Sequence, residues 1–60
     1  MNEFRVIIET KNAAFTEYDN TYEEISRILR AIADKMENEI EIPYVLHDIN
    51  GNTVGRIDTL

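Results

Sequence analysis

The chain has 60 residues and a mass of 7.0 kDa, with twelve acidic and six basic residues, a net charge of -6 and a pI near 4.5. A chain of this length holds one domain and buries only about 60% of the surface that it exposes when unfolded. Its single histidine and lack of cysteine exclude a disulfide scaffold, a cysteine zinc site and thiol chemistry. The acidic balance argues against a basic nucleic-acid-binding protein, and the short length argues against an enzyme with a private active-site pocket.

We expect neither membrane insertion nor secretion. No apolar run is long enough to span a bilayer, and residues 1–5 lack the basic start and apolar stretch of a signal peptide. Nine isoleucines argue against disorder. We therefore expect a folded cytosolic protein, bacterial or viral, with no membrane contact.

The first predicted strand covers residues 3–10, where apolar and polar side chains alternate with a period of two. One face would carry the apolar side chains that begin at Phe4, and the other would carry a mixed set that includes Ile7. Residues 11–20 are mostly polar and predict a connection whose Phe15 anchors it beneath the sheet or the helix.

A helix is predicted over residues 21–37. Thr21 and Glu24 match a capping box, in which the Thr21 hydroxyl accepts from the N–H of residue 24 and the Glu24 carboxylate reaches back to that of residue 21. Asn38 is suited to a left-handed stop. The predicted apolar stripe consists of Tyr22, Ile25, Ile28, Leu29, Ile32 and Met36. Two ion pairs with i,i+4 spacing are expected, Glu23–Arg27 and Arg30–Asp34. Of Tyr18 and Tyr22, which flank the helix start, we expect one to be in the core and the other to be a binding aromatic.

A second strand is predicted over residues 39–48, because Glu39 to Ile42 alternate and the pattern resumes at Tyr44. Pro43 interrupts this run and has no N–H, so the strand belongs at a sheet edge. The last strand covers residues 53–58, and Gly55 within it leaves room for a ring or the helix.

Two turns are compatible with the residues that join these strands. Asn50 and Gly51 could form a two-residue type I′ turn. Alternatively, Asp48 is position i and Gly51 position i+3 of a type I turn followed by a bulge. The two differ by one residue in register, which reverses the faces of the strand. The first places Tyr44, Leu46 and Ile57 on one face, and the second places Leu46 and Val54 together.

The order β-α-β-β predicts an α+β domain over residues 1–60, with one helix on one face of a three-stranded sheet. The edge position of Pro43 puts the last strand in the centre, giving the order 2-3-1 with the first two strands parallel. The alternative places the first two strands side by side. The second sheet face would carry Ile7 and one alternating set from Val45, Ile49, Val54 and Ile57. An uncovered apolar face predicts a partner, and we expect a homodimer through a sheet face or edge.

The sequence predicts no catalytic residue, cofactor or metal site. His47 has only Asp48 beside it, which would point to the opposite face of a strand, so a surface or partly buried histidine is expected. The carboxylates form two groups near the helix ends: Glu17, Asp19, Glu23 and Glu24, then Asp34, Glu37, Glu39 and Glu41. They are either a solvated surface or a partner-binding imitation of a phosphate backbone, with no direct nucleic-acid binding by the chain itself.

Three segments resemble a group of very small phage and prophage proteins. They are Thr10–Phe15, Glu24–Arg30 and Leu46–Gly55, which match the patterns T-x-N-A-A-F, E-I-x-R-I-L-R and L-x-D-x-N-G-N-x-V-G. The resemblance covers most of the chain in this order. It implies a phage accessory role in the cytoplasm of a bacterial host, and it favours an inhibitor of host defence. The chain departs from the pattern at residues 39–43, which leaves the extent of the second strand open.

The sequence therefore supports two functional hypotheses. The first is a non-enzymatic protein–protein interaction module, a phage accessory protein that self-associates. The second is an acidic, nucleic-acid-mimicking inhibitor of a host defence or nucleic-acid-binding protein, of the anti-restriction or anti-CRISPR type.

Overall fold

The structure is a computed structural model that describes all 60 residues. The predicted α+β class is confirmed, with two short helical pieces added between the first strand and the long helix. None of the helices has the length and apolar character that a membrane crossing needs. The elements are β1 (Phe4–Ile8), α1 (Ala13–Thr16), a 3₁₀ turn (Glu17–Asp19), α2 (Thr21–Glu37), β2 (Tyr44–His47) and β3 (Thr53–Thr59).

The last strand lies at the centre of the sheet, as predicted. The strand order is β1-β3-β2, and both outer strands pair antiparallel with β3. Since β1 and β2 both oppose β3, they run in the same direction. Val6 and Tyr44 lie on either side of Ile57, so the centre of the sheet contributes one continuous apolar row to the core.

The hairpin turn follows the second of the two predicted alternatives. The Gly51 N–H donates to the Asp48 carbonyl at 3.0 Å, and Gly51 has a φ of 86°, as a type I turn followed by a bulge requires. Val54 is then an extra residue, because Leu46 pairs with Gly55 and His47 with Thr53. The bulge allows both Val54 and Ile57 to be buried although they lie three residues apart. Each predicted register therefore described only part of the buried face.

The predicted strand over residues 39–43 is wrong, since β2 begins only at Tyr44. α2 ends instead in a turn in which Glu39, and not the predicted Asn38, takes up the left-handed conformation, with a φ of 54°. Ile40 and Ile42 are partly buried against the core. Their packing explains the alternation, because a loop that lies on a core also buries every second side chain.

The core is built around Phe15 and Ile57, whose side chains are fully buried. The anchoring role predicted for Phe15 is confirmed, although α1 and not an irregular loop brings it there. The Thr21 hydroxyl donates to the Phe15 carbonyl at 2.6 Å and ties α1 to the start of α2. The remaining buried apolar residues are Ala14, Ile28, Ile32, Leu46 and Val54.

The buried stripe of α2 is narrower than predicted. Ile28 and Ile32 are buried, but Tyr22, Leu29 and Met36 are 84%, 47% and 41% exposed. These three residues are spaced seven apart and form a row along one flank of the helix, away from the centre of its buried face. A charged residue outside the predicted stripe, Glu24, is buried instead and is only 4% exposed.

Gly55 is needed because the backbone of β1 passes directly over it. A methyl carbon at this position would overlap the Ile7 carbonyl oxygen and lie 2.9 Å from the Ile7 carbonyl carbon. The sequence predicted a close approach by a ring or by the helix. The neighbouring strand occupies that space instead, and it can retreat only by breaking its pairing with β3.

We expect Gly55→Ala to lower the free energy of unfolding by about 2–4 kcal/mol, because the added methyl must force β1 from β3. Urea unfolding followed by circular dichroism measures this loss. Gly51→Ala is the matched control, since its methyl meets no atom within 4 Å and adds only the strain of a φ of 86°, about 1 kcal/mol. Equal losses in the two variants would contradict the close approach at Gly55.

Candidate functional site

A partly buried ion pair joins the first turns of α2 to the hairpin. The Glu24 carboxylate accepts hydrogen bonds from Arg27 Nε at 2.8 Å and Nη2 at 3.0 Å. It also accepts one from the backbone N–H of Ile49 at 2.8 Å. The hydrogen bond from Arg27 lowers the pKa of Glu24 against the opposing effect of burial. The pair therefore stays ionised and holds the hairpin tip against the helix.

The predicted capping box is wrong. Asn20 is the N-cap residue, and its side chain makes no capping hydrogen bond. The Thr21 hydroxyl bonds to Phe15, and the Glu24 carboxylate turns toward Arg27 and the hairpin. For the same reason Arg27 does not pair with the exposed Glu23 as predicted. The structure also contains no ion pair between Arg30 and Asp34, since its ion pairs are Arg5–Asp58, Arg27–Glu24 and Arg56–Asp58.

Asp48 is the second buried carboxylate, and most of its hydrogen bonds lie within its own turn. It accepts from the N–H groups of Asn50 and Asn52, each at 2.9 Å, and from the Asn52 side-chain amide at 3.3 Å. Burial alone would raise the pKa of Asp48, but these hydrogen bonds outweigh it and the pKa is lowered. The carboxylate thus stabilises the predicted turn of Asp48, Asn50 and Gly51.

His47 lies exposed on β2, on the opposite side from the buried Asp48. No hydrogen bond or ion pair links its ring to a carboxylate. The chain also has no group of three or more side chains that could hold a metal ion. The geometry around His47 therefore provides no partner that would orient the ring.

A cleft of about 200 Å³ separates α2 from β2, and we call it the α2–β2 cleft. The buried side chains of Ile28, Ile32 and Leu46 lie along it. Lys35 Nζ sits 5.6 Å from the centre of the Tyr44 ring, and no carboxylate lies within ion-pair distance of it. The cleft is lined by Arg27, Ile28, Ala31, Ile32 and Lys35 of α2 and by residues 44–48.

The outer edge of β2, beside this cleft, is open. The Asp48 N–H donates across the hairpin to the Asn52 carbonyl at 2.9 Å, so Asp48 faces β3. Successive residues of an antiparallel strand direct their N–H and C=O groups to opposite sides. The backbone N–H and C=O groups of Leu46 and Tyr44 must therefore point to β3 as well. Val45 and His47 then face away from β3. The position of Arg27 supports this direction, since its Nη2 donates to the His47 carbonyl at 3.4 Å from the side away from β3.

The outer face of the sheet is less apolar than predicted. Ile7 and Val45 are exposed there, but Arg56 lies between them in the same row of the sheet. Asp58 accepts from both Arg5, at 2.8 Å, and Arg56, at 3.0 Å, so an ion network crosses this face. The other apolar residues predicted for it lie elsewhere: Ile49 is in the turn, and Val54 and Ile57 are in the core.

The predicted acidic groups lie at the two ends of α2, which is about 25 Å long. Glu24 does not belong with them, because it is buried and paired. The seven other carboxylates are exposed and make no ion pair: Glu17, Asp19, Glu23, Asp34, Glu37, Glu39 and Glu41. Tyr18 and Tyr22 are both exposed beside the first group, so the expectation that one of them is in the core is wrong.

Sequence reasoning missed Lys35 and Tyr44 as neighbours across a cleft. A signal was present in the helix, where Arg27, Ala31 and Lys35 follow one another at intervals of four. A small residue between two long cationic ones on a helix face leaves a groove with a basic rim. Comparisons of the chain with protein-family models, curated proteins and solved structures find no match.

We expect Glu24→Gln to lower the free energy of unfolding by about 1–3 kcal/mol, because Arg27 would lose its ionised partner. The Arg27 side chain is 40% exposed, so the loss is smaller than for a fully buried pair. Urea unfolding measures it, and Glu23→Gln, at an exposed neighbour, should change it by less than about 0.5 kcal/mol. If the two variants are equally stable, the ion pair does not hold the hairpin.

Stability should fall in acid because the pKa values of Glu24, Asp48 and Asp58 are lowered in the folded state. Hydrogen bonds from Arg56 are the main cause for Asp58. As the pH falls, these three carboxylates are protonated first in the unfolded chain, near the ordinary pKa values of 4.5 for glutamate and 3.8 for aspartate. The stabilisation is therefore complete above those values and is lost as pH falls through the lowered folded-state values.

The midpoint of urea unfolding should be nearly constant from about pH 7 to 5 and should then decrease steadily in acid. Asp48→Asn removes one of the three groups and should make the decrease shallower. A midpoint that does not change between neutral pH and strong acid would contradict the hydrogen-bonded state of these carboxylates.

Proposed function

We propose that the chain is a non-enzymatic protein–protein interaction module that recognises its partner along the open edge of β2. The observation that carries this proposal is the position of that edge beside the α2–β2 cleft. An edge strand presents unpaired N–H and C=O groups, and natural proteins normally cover it or protect it with charge. Of the backbone groups of Val45 and His47 that face the edge, only the His47 carbonyl has a partner, the Arg27 guanidinium at 3.4 Å. The edge is therefore suited to accept an added strand.

The resemblance to small phage and prophage proteins supports a setting for this module. A phage accessory protein in a bacterial host acts on host or phage proteins, and a short strand edge with an adjacent cleft suffices for such contacts. Self-association is part of the same proposal. Two copies could associate through a sheet face or edge about a two-fold axis, which closes the assembly as a dimer.

A second candidate function is acidic mimicry of a nucleic acid. It is favoured by the seven exposed carboxylates at the ends of α2, none of which has an ion-pair partner. Such a surface would occupy the groove of a basic nucleic-acid-binding protein, and its affinity would fall steeply with salt. Contacts at a strand edge depend mainly on backbone hydrogen bonds and apolar burial, so they would be much less sensitive to salt.

We expect the immobilised chain to retain its partners from a bacterial lysate when the salt concentration is raised from about 0.05 to 0.5 M, a range over which surface charges become strongly screened. Val45→Pro should abolish retention, because it removes the N–H at the open edge while leaving the pairing with β3 intact. Val45→Thr keeps that N–H and serves as the control.

The triple variant Glu17→Gln, Asp19→Gln and Glu23→Gln tests the second candidate in the same experiment. Partners that are insensitive to Val45→Pro but are lost with this variant or with added salt would contradict the edge proposal. They would favour mimicry instead.

A further inference from the structure

We infer that the α2–β2 cleft binds an extended peptide segment of a partner protein that carries a carboxylate, which adds as a fourth strand along β2. This inference rests on the proposed interaction function and adds the chemistry of the partner. It follows from three properties of the cleft: the backbone groups at its edge, its length, and its one uncompensated cation.

The backbone supplies the affinity. Val45 directs both its N–H and its C=O to the open edge, and His47 directs its N–H there. An added strand would satisfy these groups with ladder hydrogen bonds. Its alternate side chains would then point over the apolar floor formed by Ile28 and Ile32.

The length of the cleft fits a short strand. Lys35 lies beside Tyr44 at one end, and Arg27 lies beside His47 at the other, so α2 and β2 run in opposite directions. Arg27 and Lys35 are eight residues apart, which is about 12 Å along a helix. The four residues of β2 span about 13 Å. The two walls are therefore equally long, and a segment of about four residues fills the cleft.

The charge of the cleft selects the partner. The Arg27 charge is neutralised by Glu24, and the Asp48 carboxylate is held by hydrogen bonds within its turn. Lys35 is the one cation that remains, in a chain whose net charge is -6. Lys35 is exposed in the free chain. A carboxylate on the incoming strand near Tyr44 would pair with it, and the added strand would partly cover the pair, which strengthens it relative to one at an open surface.

A second copy of this chain does not match that charge. The edge strands that a copy could offer are Phe4–Ile8 and Tyr44–His47, and neither contains an aspartate or a glutamate. We therefore assign the cleft to a foreign segment.

The experiment titrates the ¹⁵N-labelled chain with two blocked peptides of alternating threonine and valine, one with a central glutamate and one with a central glutamine. Amide shifts in β2 and on the cleft side of α2 report binding and give Kd. We expect the glutamate peptide to bind about five-fold more tightly, as a single partly exposed ion pair allows. Lys35→Gln should remove this difference. Arg30→Gln, on the same helix but outside the cleft, should retain it.

Strand addition is tested separately from charge. Val45→Pro should weaken both peptides at least about ten-fold, because the edge loses its hydrogen bonds, whereas Val45→Thr should not. A dispersed amide spectrum checks that the proline variant is folded. Peptides methylated at the backbone nitrogens that face β2 repeat the test on the unchanged chain, and they should not bind.

The outcomes separate this inference from the proposed function. If the two peptides bind equally and Val45→Pro still weakens them, the proposed selection of a carboxylate is overturned, but the proposed interaction module stands. No peptide binding, together with a dimer that Val45→Pro dissociates in sedimentation, makes a second copy the occupant and overturns the inference alone. Partners that bind independently of Val45, with no peptide binding, overturn both.

Discussion

The hydrogen bonds around the Glu24 carboxylate determine how the helical half of the molecule meets the sheet. The carboxylate holds Arg27 and the backbone of Ile49, and Arg27 in turn approaches the His47 carbonyl. A buried ion pair contributes little net stability against its desolvation, but removing one partner is costly. In a core with only seven buried apolar residues, the pair acts mainly to fix orientation. It sets one end of the α2–β2 cleft, while Lys35 and Tyr44 set the other.

The topology was predictable because two local features limit it. The turn around Gly51 forces the last two strands to pair. The prediction used Pro43 as the mark of an edge strand, and β2 does lie at the edge, although it begins only after Pro43. The contacts of Glu24 were not predictable in the same way. Thr21 and Glu24 have the spacing of a capping box whether the carboxylate turns back to the helix or outward to the hairpin. Only the position of Ile49, 25 residues later in the chain, decides between the two.

Periodicity failed where more than one structure produces the same pattern. Residues 39–42 alternate because Ile40 and Ile42 pack on the core from a loop. The two register alternatives each assumed a regular strand, and the bulge at Val54 joins parts of both. Leu29 and Met36 fit a helical stripe, but the sheet is only three strands wide. A helix on so narrow a sheet leaves one flank of a wide stripe exposed.

Net charge describes the surface of this protein and not its candidate site. Seven of the twelve acidic residues lie exposed at the ends of α2, whereas the α2–β2 cleft has Lys35 as its free charge. Glu24 neutralises Arg27, so the ion pair that orients the helix also removes a second cation from the cleft. Lys35 is therefore left as the cleft's one free charge. Recognition would then combine a sequence-independent backbone ladder with selection by one lysine. Such a site would accept many segments of one chemical kind, because the backbone ladder is the same for every sequence and only the lysine discriminates.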